Sequence, residues 1–144
     1  MKIFGHPVHL MLVHFPSALF PMDLICSLAA NYVLTDQLVN TSAFAMLGGT
    51  AFGWLAAITG MFDLIGVSRN KPASVKKALI HGSINSVVLI GYTLLSLIFI
   101  KNLPEFIKDS GTVLTIKIFL VLLLIVGNFI GGSLVLEDKV LDKK

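Results

Sequence analysis

The residues of this chain best suited to bind a cofactor are its four histidines. His6, His9 and His14 lie close together near the beginning of the chain, and His81 lies just past its middle. Histidine is a standard axial ligand of haem iron and a common ligand of transition-metal ions. Asp63 precedes a short basic connection and is the carboxylate expected at the same depth. This set of residues indicates a haem site or a metal site.

The elements that must position these residues are four long apolar segments, at about 7–33, 42–67, 77–100 and 112–136. At 1.5 Å per residue, each is long enough to cross a hydrocarbon core of about 30 Å. The chain is 56% hydrophobic and 13% charged, whereas a soluble domain is about 25% charged. We therefore predict an all-α fold, a single membrane domain of four transmembrane helices in contact with the lipid bilayer. No internal repeat is apparent in the sequence.

The distribution of basic residues predicts the orientation of this bundle. Four helices place both termini and the middle connection on one side of the membrane, and that side carries eight Lys or Arg against two on the other. By the positive-inside rule the termini are cytoplasmic, in a bacterial inner membrane. The basic residues then orient the chain and do not indicate nucleic-acid binding. The histidines and prolines of the first segment argue against a cleaved signal peptide, so we expect it to be retained.

This topology brings the histidines to one depth, near the cytoplasmic side. Helices one and three begin there, and His14 and His81 are the predicted axial ligands of a haem b because they come from different helices. His6 and His9 could serve a second centre or bind propionates. Asn85 lies four residues after His81 and therefore on the same helical face. We predict a membrane electron-transfer subunit with a redox partner, within a larger complex or as a homo-oligomer.

Two other hypotheses remain open at this point. The set His6, His9, His14, Asp63 and His81 could bind or transport a divalent transition metal. Alternatively, the chain is a structural subunit of a membrane complex. An enzymatic role is uncertain, because the sequence has no GxSxG motif, no phosphate-binding loop and no plausible cysteine–histidine pair. The absence of a CxxCH motif excludes a c-type haem.

Other polar residues and prolines of the first helix have structural consequences. Pro16 cannot donate to the carbonyl of Leu12, so we expect a kink near His14. Asp23 lies deep in the apolar segment, where a charge is costly without a partner. Its candidate partners are Asn128 and Lys117, both in the fourth segment.

Small residues recur at four-residue spacing in two of the helices. Gly49, Gly53 and Ala57 form such a stripe in helix two, and Gly127 and Gly131 repeat the spacing in helix four. In lipid such stripes allow helices to pack closely. A tight helix–helix contact is one interpretation, and a slot that admits a flat cofactor is the other.

Four motifs resemble those of an uncharacterised family of bacterial inner-membrane proteins. They are HPVHLMLVHFPSAL at 6–19, TGMFD at 59–63, HGSIN at 81–85 and GGSLV at 131–135. The resemblance covers nearly the whole chain and implies a four-helix membrane domain, joined in some proteins to a Rieske-type iron–sulfur domain. By analogy, that association points to electron transfer.

The chain departs from the family pattern in two places. Leu10 stands where a proline is common, and the tail after Val135 is charged. These departures bear on the start of helix one and on the role of the tail.

The predicted orientation can be tested with accessibility reporters. A reporter at Asn102 should be labelled from the periplasm, and one at Asn70 only from the cytoplasm, because the basic residues cluster on the side of Asn70. The opposite labelling pattern would reverse the orientation and the side assigned to the histidines.

Overall fold

The computed structural model describes residues 2–3, 6–33, 35–70, 74–101 and 108–141, and the side chains of residues 8–33, 35–65, 74–101 and 108–135. Two short strands, β1 (Lys2–Ile3) and β2 (His6–Pro7), pair antiparallel before the first helix. Five helices follow: α1 (Val8–Leu12), α2 (His14–Tyr32), α3 (Asp36–Asn70), α4 (Val75–Lys101) and α5 (Gly111–Leu141).

The prediction of an all-α bundle with four membrane-crossing helices is confirmed. Four helical spans are long and apolar enough to cross a membrane: Val8–Tyr32, Asp36–Ile65, Val75–Lys101 and Gly111–Val135. Many large apolar side chains point outward, including Ile25, Phe119 and Phe129, which are 61%, 59% and 80% exposed. Such surfaces would be unfavourable in water, and lipid is the solvent that suits them.

The first span is interrupted near the expected kink, at Val13, just before His14. α1 ends at Leu12, and α2 begins at His14 after a single turn residue, Val13. Pro16 has no N–H to donate to the carbonyl of Leu12. The carbonyl of Val13 accepts from the backbone N–H of Ser17 at 3.2 Å and from its hydroxyl at 2.6 Å. Val13 itself stays in the right-handed helical region, with φ −64° and ψ −20°.

Neighbouring helices of the bundle run antiparallel. Ser27, late in α2, contacts Ser42, early in α3, at 2.7 Å. Thr50 of α3 contacts Ser96 of α4 at 3.2 Å. The last helix contacts the first hairpin again, because Asn128 of α5 donates to the hydroxyl of Ser17 in α2 at 3.0 Å. The helices thus form a four-cornered bundle, in which α2 and α4 lie diagonally opposite each other.

The centre of the bundle is an aromatic pair from these two diagonal helices. The rings of Phe20 and Tyr92 stack with centroids 3.7 Å apart and planes 6° from parallel. Both residues are almost completely buried. Gly49 of α3 makes room for this stack, since a Cβ built there would lie 2.7 Å from the ring of Phe20. The predicted close packing of the glycine stripe is therefore present at Gly49.

The structure also contains an internal repeat that the sequence does not reveal. Tyr92 follows Phe20 by 72 residues, and His81 follows His9 by the same 72. Both pairs face each other across the centre of the bundle. The two helical hairpins, α1–α3 and α4–α5, are thus related by approximate twofold symmetry. This correspondence lies in the positions of a few residues and not in overall sequence similarity, so it is not apparent from the sequence alone.

Replacing Gly49 by alanine tests the central packing. The added methyl group should displace the Phe20 ring from Tyr92 and cost about 1–3 kcal/mol, as overpacking of a core does. Gly82→Ala is the matched control, because Gly82 is also helical and a Cβ there meets nothing within 4 Å. Thermal unfolding in detergent measures both variants. Equal stability of the two would show that Gly49 does not limit the approach of α2 and α3.

Candidate functional site

His9 is held by α3 through a hydrogen bond and a glycine. Its Nδ1 donates to the carbonyl oxygen of Ala56 at 2.8 Å, and since a carbonyl only accepts, Nδ1 carries the proton. One turn further along α3, Gly60 lies beneath the imidazole. A Cβ built at Gly60 would be 2.8 Å from Cε1 of His9. Only glycine lets the ring lie this close to the helix.

His81 is held by α5 in the same way. Its Nδ1 donates to the carbonyl oxygen of Gly127 at 2.8 Å, and its ring lies on Gly131, where a Cβ would be 2.6 Å from Cε1. Each histidine thus donates to a backbone carbonyl and packs against the glycine four residues after the residue that supplies this carbonyl. These matched contacts of His9 and His81 show the internal repeat most clearly.

The side chain of Asn85 lies beside His81. Its amide nitrogen lies 3.0 Å from the carbonyl oxygen of His81 and 3.2 Å from Nδ1 of that residue. Because Nδ1 already donates to Gly127, it cannot also accept from Asn85, and the carbonyl is the acceptor. Gly127 makes room for this amide, since a Cβ there would be 2.7 Å from its nitrogen.

The two imidazoles meet between the hairpins. Their centroids are 6.5 Å apart and their planes are 82° from parallel. In the neutral form of each ring, the Nδ1 proton is committed to a backbone carbonyl and Nε2 retains its lone pair. The arrangement offers two basic nitrogens from different helices, each oriented by a second hydrogen bond.

The remaining predicted residues are placed differently. His14 is exposed, and its Nδ1 donates to the carbonyl oxygen of Leu10 in α1 at 2.5 Å. The ring neighbour of His81 in the described structure is His9, so the pairing of His14 with His81 stays a prediction from sequence. Asp63 lies on α3 three residues after Gly60. The side chain of His6 lies outside the described residues.

The described side chains do not converge into a metal site of the usual kind. Among them, no group of three His, Cys, Asp or Glu residues is arranged to hold a metal ion. This statement excludes His6, whose side chain is not described.

A second polar cluster lies nearer the other ends of the helices. Lys117 of α5 is 1% exposed, and its Nζ lies 2.6 Å from Oδ1 of Asp23 and 2.6 Å from Oδ2 of Asp109. The hydroxyl of Ser27 donates to Asp109 at 2.7 Å, and that of Ser42 donates to Asp23 at 2.6 Å. These contacts join α3, α5 and the connection before α5 to α2.

Sequence reasoning anticipated only part of this cluster. Lys117 was one of two candidate partners of Asp23 and is its partner in the structure, whereas Asn128 bonds to Ser17. Asp109 was missed, because it lies in a connection and not in an apolar segment. One feature of the sequence indicated this contact. Asp109 lies eight residues, or about two helical turns, before Lys117, and Lys117 lies inside an apolar run.

The chain belongs to the family described as "Predicted membrane protein (DUF2231)", whose pattern it matches over residues 5–144. This confirms the resemblance drawn from the four motifs and makes the chain a multi-pass membrane protein. Comparisons with curated proteins and with solved structures gave no match.

Replacing Lys117 by methionine tests the ionic cluster. The change leaves Asp23 and Asp109 without their ammonium partner, and breaking a buried ion pair from one side costs about 3–5 kcal/mol. Lys101→Met is the matched control, because Lys101 is exposed at the end of α4 and should change stability by about 0.5 kcal/mol at most. The readout is thermal unfolding in detergent. Similar stabilities for the two variants would mean that the cluster contributes nothing.

Proposed function

We propose that this protein is a membrane electron-transfer subunit that binds a b-type haem through His9 and His81. The observation that carries the proposal is the facing pair of imidazoles, supplied by equivalent positions of the two hairpins and 6.5 Å apart. The proposal retains His81 from the sequence-based pair and replaces His14 by His9.

The separation of the rings would allow His9 and His81 to hold one metal atom between them. A ligating imidazole nitrogen lies about 2 Å from its metal, and the ring centre lies about 1 Å beyond that nitrogen, so two opposed rings have centroids roughly 6 Å apart. The distance of 6.5 Å is close to this value. Perpendicular ring planes are compatible with it, because each ring can rotate about its bond to the metal.

The hydrogen bonds of the two histidines favour the same interpretation. Metal-ligating histidines almost always donate their other ring N–H to a carbonyl, carboxylate or water, which orients the ring and raises its basicity. His9 and His81 both do so through Nδ1. An ordinary structural histidine needs no such matched support on two separate helices.

The number of ligands distinguishes a haem from a free metal ion. A structural zinc ion takes four protein ligands, and a catalytic zinc ion takes three. A porphyrin supplies its own four nitrogens, so two histidines complete the coordination of its iron. The described residues provide a matched pair and no group of three. The divalent-metal hypothesis therefore depends on ligands beyond those described.

When bound, such a haem would supply one-electron redox chemistry. The chain's own part is to hold and orient the two imidazoles and to shield them from water. A redox partner must then deliver or accept the electron, in a larger membrane complex or within a homo-oligomer. With the predicted orientation, the site lies towards the cytoplasmic side of a bacterial inner membrane.

The visible absorption spectrum of the purified protein tests this proposal. We expect sharp bands on reduction, and their loss in both His9→Ala and His81→Ala, because removing either ligand destroys six-coordination. His14→Ala is the matched control and should keep the bands, since His14 is an exposed residue of the same region.

Other outcomes separate the alternatives. Loss in His14→Ala with retention in His9→Ala would restore the pair predicted from the sequence. A colourless protein that binds a transition metal, with affinity falling as acid protonates the imidazoles, would favour the metal site. Variants that all retain the spectrum, metal content and stability of the wild type would leave the structural-subunit hypothesis.

The glycine beneath His81 provides a second test that leaves both ligands in place. Gly131→Ala should displace the imidazole, since its Cβ would lie 2.6 Å from Cε1. We expect weaker haem retention and a shifted midpoint potential. Gly132→Ala is the neighbouring control, because a Cβ there meets nothing within 4 Å. Identical spectra and potentials for both variants would count against His81 as a ligand.

A further inference from the structure

The Asp23–Lys117–Asp109 cluster does not balance its charges. Asp23 and Asp109 carry two negative charges when both are ionised, and Lys117 carries one positive charge. Asp23 and Lys117 are almost fully buried within the membrane-crossing helices. An uncompensated charge at such a position is costly, so the cluster must gain a positive charge or a proton.

The hydrogen bonds of Asp23 are unevenly divided between its two oxygens. Oδ1 accepts from Nζ of Lys117 and from the hydroxyl of Ser42, both at 2.6 Å. Oδ2 is fully buried and has no partner. A carboxylic acid has this asymmetry: its carbonyl oxygen accepts, and its other oxygen carries the proton.

A second buried polar atom without a partner lies in the same part of the core. The hydroxyl of Tyr92 is also buried and without a partner. Its ring stacks on Phe20, which precedes Asp23 by nearly one turn on the same helical face. A proton on Oδ2 of Asp23 would remove the negative charge from a buried carboxylate that has no donor at this oxygen.

The internal repeat places apolar residues at the positions equivalent to this cluster. Leu95 stands 72 residues after Asp23, at the equivalent position of α4. The offset of 71 between Gly60 and Gly131 makes Met46 the position of α3 equivalent to Lys117. The α3–α4 interface therefore has apolar residues where the α2–α5 interface has a buried ion pair. Ionisable residues within membrane-crossing segments commonly have a function.

A metal cation does not fit the cluster well. The Lys117 ammonium already occupies the point between the oxygens of Asp23, Ser27 and Asp109, at 2.6, 3.0 and 2.6 Å. A second cation would have to displace it. A proton needs no such space.

We propose that Asp23 is a proton-binding site that exchanges its proton with the solution on the side of the membrane where α5 begins. The route runs past Ser27 to Asp109, whose side chain is 22% exposed. A cavity of about 20 Å³ beside Ser27, Asp109 and Lys117 has room for one water molecule. The charged and titratable groups that face Asp23 are Lys117, Asp109 and Tyr92, with Lys108 at the mouth of the cavity. The inference is independent of the haem.

Infrared difference spectroscopy of the full chain in liposomes tests the proposal. The wild type should show the carbonyl stretch of a protonated carboxylic acid, shifted when H₂O is exchanged for D₂O. Asp23→Asn should abolish this band and keep near-wild-type stability, because the amide resembles the protonated acid. Asp36→Asn, at the exposed start of α3, is the control and should retain it.

Tyr92→Phe is a second variant for the case in which Asp23→Asn does not fold. It should retain the band, because it removes a buried hydroxyl of the same region and leaves Asp23 in place. A folded wild type with no such band at any pH from mildly acidic to mildly alkaline would overturn the proposal. Thermal stability that rises with sodium but not with choline, in the wild type and not in Asp23→Asn, would also overturn it by identifying a metal cation instead.

Discussion

The interior of a bilayer offers polar groups no water, and this constraint determines how the four helices are joined. Lys117 is the extreme case, because an ammonium group in an apolar helix is stable only if other segments bring it oxygens. α2 supplies Asp23 and Ser27, and the connection before α5 supplies Asp109. These contacts fix the register of α2 against α5. The stacking of Phe20 on Tyr92 then follows at the centre of the bundle.

Glycine residues allow bulky or polar side chains to lie close to the backbone of a neighbouring helix. Gly60 and Gly131 each accept an imidazole, and the carbonyl four residues earlier accepts its Nδ1 proton. These glycines therefore allow close contact between helices and also leave space for side chains of a neighbouring helix. This explains why the small residues concentrate in α3 and α5, which hold the histidines of α1 and α4.

The approximate twofold symmetry divides the molecule into a symmetric part and an asymmetric part. The histidine pair and the aromatic stack lie where the two hairpins face each other, so both halves contribute equally. A ligand held at that position would be bound by matched groups from each hairpin. The ionic cluster joins α2 of one hairpin to α5 of the other, whereas Leu95 and Met46 occupy the equivalent positions of α4 and α3. In our proposals, the first region would bind a cofactor, and the second would exchange protons with one side of the membrane.

The amino-acid sequence alone determined the number of helices, their approximate bounds and the gathering of histidines at one end, because hydrophobic length and proline position are local properties. It also predicted a kink near His14 and included Lys117 among the partners of Asp23. It could not decide which histidine faces inward. His9 and His14 lie about 140° apart on a regular helix, and only the tertiary structure shows that His9 packs on Gly60 while His14 is exposed. The roles of Asp109 and of the internal repeat likewise depend on contacts between distant segments, which only the tertiary structure brings together.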